Sequence, residues 1–178
     1  MRVRAAIASH PYVVAALVAI GAALTAFVLI YFQPQKLFID DRVSEPPPGQ
    51  AAAGGAETAA AVPDLTTLSS APFTSYEHHT RGRALILRVR DGQRFLRFED
   101  FRTSNGPDVR VYLSAAAAGG PGDRFDDEYV ELGHLKGNIG SQNYRIPAGL
   151  DLGRFRSAVV WCKRFSVAFG AAAVAATT

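Results

Sequence analysis

The strongest constraint on the fold is a run of alternating apolar residues that a turn interrupts. The run RALILRVRDGQRFLRF, residues 83–98, has apolar side chains at every second position on both sides of Asp91-Gly92. An Asp-Gly pair favours a two-residue type I′ turn, which places Leu87 opposite Leu96 in an antiparallel hairpin. One face of this hairpin is predicted to pack in the core, and it carries Leu85, Leu87, Val89, Leu96 and Phe98. The other face is predicted to carry Ala84, Ile86, Arg97 and Glu99.

Further strands are predicted where the sequence alternates or is rich in β-branched and aromatic residues, in segments 108–114, 128–135, 142–146 and 158–169. Turns rich in Gly, Pro and Asn separate these segments, and no long helical period appears after residue 33. The pattern predicts an all-β domain over residues 72–171, either an antiparallel β-sandwich or a partly closed barrel. The tail, residues 172–178, is predicted to fray.

Near the N-terminus, residues 12–32 form an uncharged apolar run, YVVAALVAIGAALTAFVLIYF. As a helix its 21 residues, at about 1.5 Å each, match a hydrocarbon thickness of roughly 30 Å. Arg2 and Arg4 precede the run, whereas acidic and basic residues are mixed after it, so the positive-inside rule predicts that residues 1–11 are cytoplasmic. The protein is therefore predicted to cross the cell membrane once, with its C-terminal domain extracytoplasmic. A cleaved signal peptide is the alternative, although its apolar region is usually shorter, about 7 to 15 residues.

Residues 33–71 are rich in Pro, Ala and Gly and have no apolar periodicity. They are predicted to be a disordered linker between the membrane and the folded domain. The formal net charge of the chain is +3, and Arg2, Arg4 and Lys36 beside the apolar run supply much of it. Because the folded part is close to neutral, we expect no nucleic-acid partner.

Histidine and cysteine side chains are the candidates for holding a metal or haem. The folded region contains His78, His79, His134 and a single cysteine, Cys162. A copper site would usually have a histidine shortly after the cysteine, and covalent haem needs a Cys-x-x-Cys-His motif, but the sequence contains neither. No metal site is predicted. The cofactor stays unknown, and copper or haem held by the histidines is left open.

Cys162 is the only cysteine in the chain, so it has no partner for an internal disulfide. In the strand predicted over residues 158–169, the odd-numbered positions are large and apolar and are expected to face the core. This places Cys162 on the opposite, partly accessible face, where the adjoining Lys163 and Arg164 favour the reactive thiolate. The alternative is a buried cysteine that acts as a small apolar residue. The residue pattern leaves both interpretations open.

Four stretches of the sequence resemble the DM-thirteen domain, the "electron transfer DM" module of bacterial lipoproteins and anchored proteins. The module also occurs in Skeletor-like animal proteins, where it can sit beside DOMON domains. The matching stretches are HHTRGRA, DGQRFLRFEDFRTSNGPDVRVYLSA, YVELGHLKGNIGSQNYRIPAGLDL and VVWCKRFSVAFGAA. They cover nearly the whole predicted domain, so the chain is similar to the bacterial, membrane-anchored form of this module.

The resemblance implies an all-β domain with a cysteine, matched here by Cys162, that is proposed to take part in redox chemistry or electron transfer. The function that it implies is a membrane-anchored, extracytoplasmic redox protein rather than a turnover enzyme. A single thiol cannot complete a two-electron dithiol couple. A redox partner protein, a metal or a bound cofactor is therefore implied as well.

The stretch between Gly133 and Tyr144 is unusually rich in polar residues around two turns. Five of its side chains could hydrogen-bond a ligand or could satisfy loop backbone groups, and they are Lys136, Asn138, Gln142, Asn143 and Tyr144. If they bind a ligand, the domain has an alternative function as a non-enzymatic envelope binding module for a glycan or a protein partner.

Overall fold

The computed structural model of the chain describes residues 11–35, 39–49 and 65–174. Within these ranges the chain forms one long helix, α1 (Pro11–Tyr31), and nine strands. The strands are β1 (Arg42–Ser44), β2 (Thr66–Ser75), β3 (Arg81–Arg88), β4 (Arg94–Arg102), β5 (Val109–Ser114), β6 (Tyr129–His134), β7 (Ile139–Arg145), β8 (Ser157–Cys162) and β9 (Val167–Ala173).

All nine strands belong to one mixed sheet with the order β1-β7-β4-β3-β2-β9-β8-β5-β6. Neighbouring strands are antiparallel except for the edge strand β1, which runs parallel to β7. Strand β2 joins the two halves of the sheet, because residues 66–72 pair with β3 and residues 73–75 pair with β9. The sheet curls into a half-barrel, which confirms the prediction of an all-β, partly closed barrel.

The main core lies inside the curve, where apolar side chains from both halves of the sheet meet. Its largest fully buried members include Ile86, Leu96, Phe98, Val111 and Val160. A second, smaller core covers the other face of β8 and is built from Tyr112, Phe125, Val159, Trp161, Ala168 and Ala171. Strand β8 is therefore packed on both faces.

The hairpin of β3 and β4 has the predicted strands but a different turn. The Val89 N–H donates to the Gln93 carbonyl and the Gly92 N–H donates to the Val89 carbonyl, so the loop has three residues instead of two. Gly92 has a φ of 84°, the left-handed conformation that closes such a loop. Because of the extra residue Ile86 faces Leu96, and the predicted register is wrong by one position. The core side carries Ala84, Ile86, Leu96 and Phe98, and the opposite side carries Leu85, Leu87, Arg97 and Glu99.

The last predicted strand, residues 158–169, is two strands, β8 and β9, joined by a turn. Ser166 in this turn has a φ of 51°, which ends the extended conformation. The chain reverses there, and β9 continues to Ala173, inside the predicted tail. Residues 175–178 of that tail lie outside the described residues.

Helix α1 coincides with the predicted membrane span and is long and apolar enough to cross a membrane, with a mean hydropathy of 2.8. After it, the segment predicted as a linker, residues 33–71, contributes β1 and the first six residues of β2 to the sheet. Its residues 36–38 and 50–64 lie outside the described residues. At the end of the helix the Phe32 ring stacks on Phe165 of the β8–β9 turn, with the ring centroids 6.1 Å apart.

Candidate functional site

Cys162 is the last residue of β8 and its side chain belongs to the main core. Its exposed fraction is 0%, so the prediction of partial accessibility is wrong. The reason is the position of β8 between β5 and β9, where Val109 and Val167 flank the cysteine in register. Val159 and Trp161, which were expected to define the core face, pack in the second core instead.

The two basic residues after Cys162 make contacts away from the thiol. The Lys163 ammonium lies 3.5 Å from a carboxylate oxygen of Glu131. The Arg164 guanidinium lies over the ring of Tyr31, 4.5 Å from the centroid. Neither contact supports the expectation that these cations act on the sulfur.

A small polar cavity lies at the end of β5 that is nearest to Cys162. Its volume is about 80 Å³, and Val109, the partner of Cys162 in the sheet, contributes to its wall. The remaining wall comes from segments 105–108, 134–135 and 137–138 together with Asp41. Gly106 is required there, because a Cβ at this position would come within 2.9 Å of the Val109 side chain and 3.1 Å of the Phe169 ring. The cavity therefore borders Val109 but does not reach the thiol itself.

The three histidines are not gathered around Cys162. His78 is half-buried against the Phe169 ring, and burial, opposed by the Glu77 carboxylate, lowers its pKa below the ordinary value. His79 is exposed, and His134 is exposed beside Asp108, with 3.8 Å between the imidazole Nδ1 and the carboxylate. Within residues 11–35, 39–49 and 65–174, no group of three or more His, Cys, Asp or Glu side chains could hold a metal ion. The described residues therefore do not form the copper set that the sequence left open.

The five polar residues predicted as ligand-binding divide into two sets. Gln142 and Tyr144 are buried and support the loop itself: the Gln142 Oε1 accepts from the N–H groups of Lys136 and Gly137 and from the Tyr144 hydroxyl at 2.6 Å. The Gln142 amide also donates to the Gly137 carbonyl at 2.8 Å. Burial raises the pKa of Tyr144 above its ordinary value, so its hydroxyl stays protonated. Gln142 and Tyr144 thus fix the conformation of the turn at Lys136 and Gly137.

The second set binds a neighbouring segment of the same chain. We call residues 40–46 the strap, and we call the surface that holds it the groove, which consists of Arg97, Asn105, Lys136, Asn138 and Asn143. Lys136 Nζ donates to Glu45 Oε1 at 2.7 Å, and the Asn143 N–H donates to Glu45 Oε2 at 2.7 Å. At the other end of the strap, Asn138 Oδ1 accepts from the Asp41 N–H at 2.7 Å. Both carboxylate oxygens of Glu45 are thus bound by the groove.

Two glycines allow the strap to approach β7 closely. A Cβ at Gly140 would overlap the Val43 carbonyl oxygen, and Gly140 has a φ of 106° that other residues rarely adopt. A Cβ at Gly137 would lie 2.5 Å from the Asp41 carbonyl oxygen. Any larger residue at either position would push the strap away from the sheet.

The sequence interpretation missed Arg97 and Asn105. Arg97 is only 5% exposed, and its guanidinium donates to Asn143 and to the carbonyl oxygens of Glu45 and Pro46. The sequence held one signal, an arginine between Leu96 and Phe98 in a predicted strand. Burial of such a residue requires several hydrogen-bond acceptors around its guanidinium, so a covering segment was to be expected. Arg97 does lie on the predicted face of the hairpin, away from the core, but its cover by the strap was not predicted.

Acidification is expected to release the strap. Burial raises the pKa of Glu45, but hydrogen bonds from Lys136 and Asn143 and the charge of Arg97 outweigh it and lower the pKa below the ordinary value. Because docking lowers the pKa of Glu45, its ionised carboxylate stabilises the docked strap at pH values above the ordinary glutamate pKa of about 4.3. This stabilisation is lost as the pH falls through the lower pKa that Glu45 has in the docked strap. A nitroxide on Ser44→Cys, in a Cys162→Ala background, should become mobile in that range.

A Glu45→Gln variant, which cannot titrate at this position, should show no mobility transition between pH 5 and pH 3. Unchanged label mobility down to pH 3 in the parent protein, while circular dichroism still shows a folded sheet, would contradict the role given to Glu45.

Comparison with known proteins gives one match. The family model described as "Electron transfer DM13" matches residues 72–174, which is more than half of the chain. No curated protein and no solved structure matches the chain. The matched residues contain Cys162 and the whole groove, whereas the strap lies before them. The chain belongs to the electron transfer DM13 family.

Proposed function

We propose that this protein is a single-pass membrane protein whose extracytoplasmic domain takes part in electron transfer through Cys162. The observation that carries the proposal is the family match, because it covers β3 to β9 and the end of β2 and includes the only cysteine of the chain. The membrane part of the proposal is supported by α1, whose apolar side chains are exposed along the entire helix. The orientation is supported by Arg2 and Arg4 before the helix.

The chemistry open to a single thiol is exchange with a disulfide of a partner. The thiolate of Cys162 attacks one sulfur of that disulfide, a new S–S bond forms, and the other sulfur leaves as a thiolate. Such a step needs no second cysteine in this chain, which contains none. The partner supplies the oxidised sulfur pair, and a second thiol from the partner would reverse the reaction.

Burial of the thiol implies that a partner reaches it only after a local opening. Cys162 ends its strand, and the β8–β9 turn begins at the next residue. Strand ends and turns open at a lower free energy than the centre of a sheet, so the thiol can become accessible without global unfolding. The turn around Gly106 and the β8–β9 turn are the segments that must move.

The test uses the full chain in lipid nanodiscs with oxidised glutathione as the disulfide. We expect one glutathione to attach to each native chain, detected by mass spectrometry, more slowly than it attaches to the unfolded chain. The Cys162→Ala variant should form no adduct and should keep its circular dichroism. If native protein reacts only as fast as it unfolds globally, Cys162 is a packing residue and the cysteine-centred proposal fails.

A further inference from the structure

The electron-transfer proposal makes no use of the groove, although the groove holds the strap by both backbone and side-chain contacts. The strap adds to β7 as a short parallel strand, with Val43 beside Gly140. The Ile139 N–H donates to the Asp41 carbonyl at 3.2 Å, and the Glu45 N–H donates to the Ser141 carbonyl at 2.9 Å. This is strand addition at a sheet edge, a common way for proteins to bind extended peptides.

Specific side-chain contacts distinguish the strap from an arbitrary strand. The Glu45 carboxylate is held by the Lys136 ammonium and the Asn143 N–H, each at 2.7 Å. Just beyond it, Asn143 Nδ2 donates to the Pro46 carbonyl at 2.8 Å and Arg97 Nη1 donates to the same oxygen at 3.2 Å. Hydrogen bonds with a charged partner are stronger than neutral ones, so Glu45 is the main anchor.

The N-terminal half of the strap is recognised through its acidic residues. Asn138 Nδ2 donates to Asp40 Oδ1 at 2.9 Å, and Asn105 Nδ2 donates to Asp41 Oδ2 at 2.8 Å. Asn138 is 3% exposed, and the same amide group also donates to the Thr103 carbonyl at 3.1 Å. The groove therefore places amide donors against two adjacent carboxylates at one end and a cation against a third at the other end.

The groove is held in place by the domain rather than by the strap. Arg97 is bound to Glu99 and Asn143, each at 2.8 Å, and the turn that carries Lys136 rests on the buried amide of Gln142. The strap by contrast has no side chain in either core cluster, and Val43 is only half-buried. A surface that is organised without its ligand loses little conformational freedom on binding, which favours affinity.

We propose that the groove is a binding site for an extended acidic peptide and that residues 40–46 of this chain are its resident ligand. The ligand chemistry is two adjacent carboxylates, a strand of about three residues, and a glutamate followed by proline. In this protein the ligand is joined to the membrane helix, so its binding fixes the domain to the anchor. The groove lies within the family-matched residues and the strap lies before them. The binding site and its ligand therefore belong to separate parts of the sequence.

The test cuts the chain between ligand and domain. A protease site is inserted within residues 50–64 of the full-length protein, which is reconstituted in phosphatidylcholine vesicles and then cleaved. Among the described residues, the domain is then held to the membrane fragment by the contact between strap and groove and by the contacts of Tyr31 and Phe32 with the β8–β9 turn, and the peptide competes only for the groove. We expect the C-terminal fragment to sediment with the vesicles and a synthetic peptide of residues 39–49 to release it.

The Glu45→Gln variant should weaken retention of the fragment by about tenfold or more, since it removes a charge-assisted pair of hydrogen bonds. Ser44→Ala is the matched control, because that side chain is exposed in the same strand, and it should retain the fragment as the parent does. A folded fragment that leaves the vesicles on cleavage overturns the proposal. So does a fragment that stays but responds neither to the peptide nor to Glu45→Gln, or one that unfolds on cleavage and shows that the strap is part of the fold.

Discussion

Replacement of Phe98 by alanine is expected to lower the free energy of unfolding by about 3–5 kcal/mol, the range for removing a buried aromatic side chain. Phe98 is fully buried, and its ring centroid lies 5.0 Å from that of Phe73, 4.9 Å from Phe101 and 5.5 Å from Tyr144. Three rings, from β2, β4 and β7, therefore lose a common neighbour. Denaturant unfolding of the full chain in detergent micelles, followed by the fluorescence of the single tryptophan, Trp161, measures the change.

Phe95→Ala is the matched control for this prediction. Phe95 lies three residues earlier in the same strand, on the opposite face, and is only half-buried. Its replacement should lower the free energy of unfolding by roughly half as much or less, because less apolar surface is removed from the interior. Equal losses for the two variants would show that the faces of β4 are assigned incorrectly.

Replacement of Gln142 by methionine is expected to cost about 3 kcal/mol or more in the free energy of unfolding. Methionine has a similar shape but no amide, so the N–H and carbonyl of Gly137 and the hydroxyl of Tyr144 lose their buried partner, whereas the Lys136 N–H keeps the Tyr144 oxygen. Each unsatisfied buried group costs about 1–3 kcal/mol. The same denaturant measurement applies.

Tyr144→Phe serves as the control for Gln142, because it removes one hydroxyl from the same network and keeps the ring. We expect a loss of about 1–2 kcal/mol. If Gln142→Met costs no more than Tyr144→Phe, the amide is not the centre of the network, and the turn that carries Lys136 is held by other contacts.

The sequence predicted those parts of the fold that depend on local pattern. Alternation identified β3, β4 and β5, and the uncharged run identified α1. The hairpin register was wrong because an Asp-Gly pair closes both two-residue and three-residue loops, and the choice depends on packing of the whole sheet. The shift of one residue exchanged the two faces of β3 but not those of β4, so Arg97 was placed on the correct side of its strand and only its burial under the strap was missed.

The candidate site was harder to predict because its parts are distant in sequence. The strap and its main binding residues are about 90 or more positions apart, as with Glu45 and Lys136. Composition assigned the strap to a linker, because a strand of three residues between acidic residues is too short to give a periodic signal. The polar residues from Lys136 to Tyr144 were named as candidates from the sequence, and the structure identifies which of them contact the strap. The burial of Cys162 was missed because alternation cannot reveal a strand packed on both faces.

The position of β1 limits the distance between the domain and the end of α1. Ten residues, 32–41, separate the end of α1 from β1, and at roughly 3.3–3.6 Å per residue they span about 35 Å at most. A free linker over residues 33–71 would have allowed a much larger distance between the domain and the end of α1. Under the proposed insertion of α1 in a membrane, docking of the strap confines encounters with partners to a thin layer at the bilayer surface, where a partner embedded in the same membrane meets the domain by lateral diffusion. A large soluble partner must instead approach the lipid headgroups to reach it.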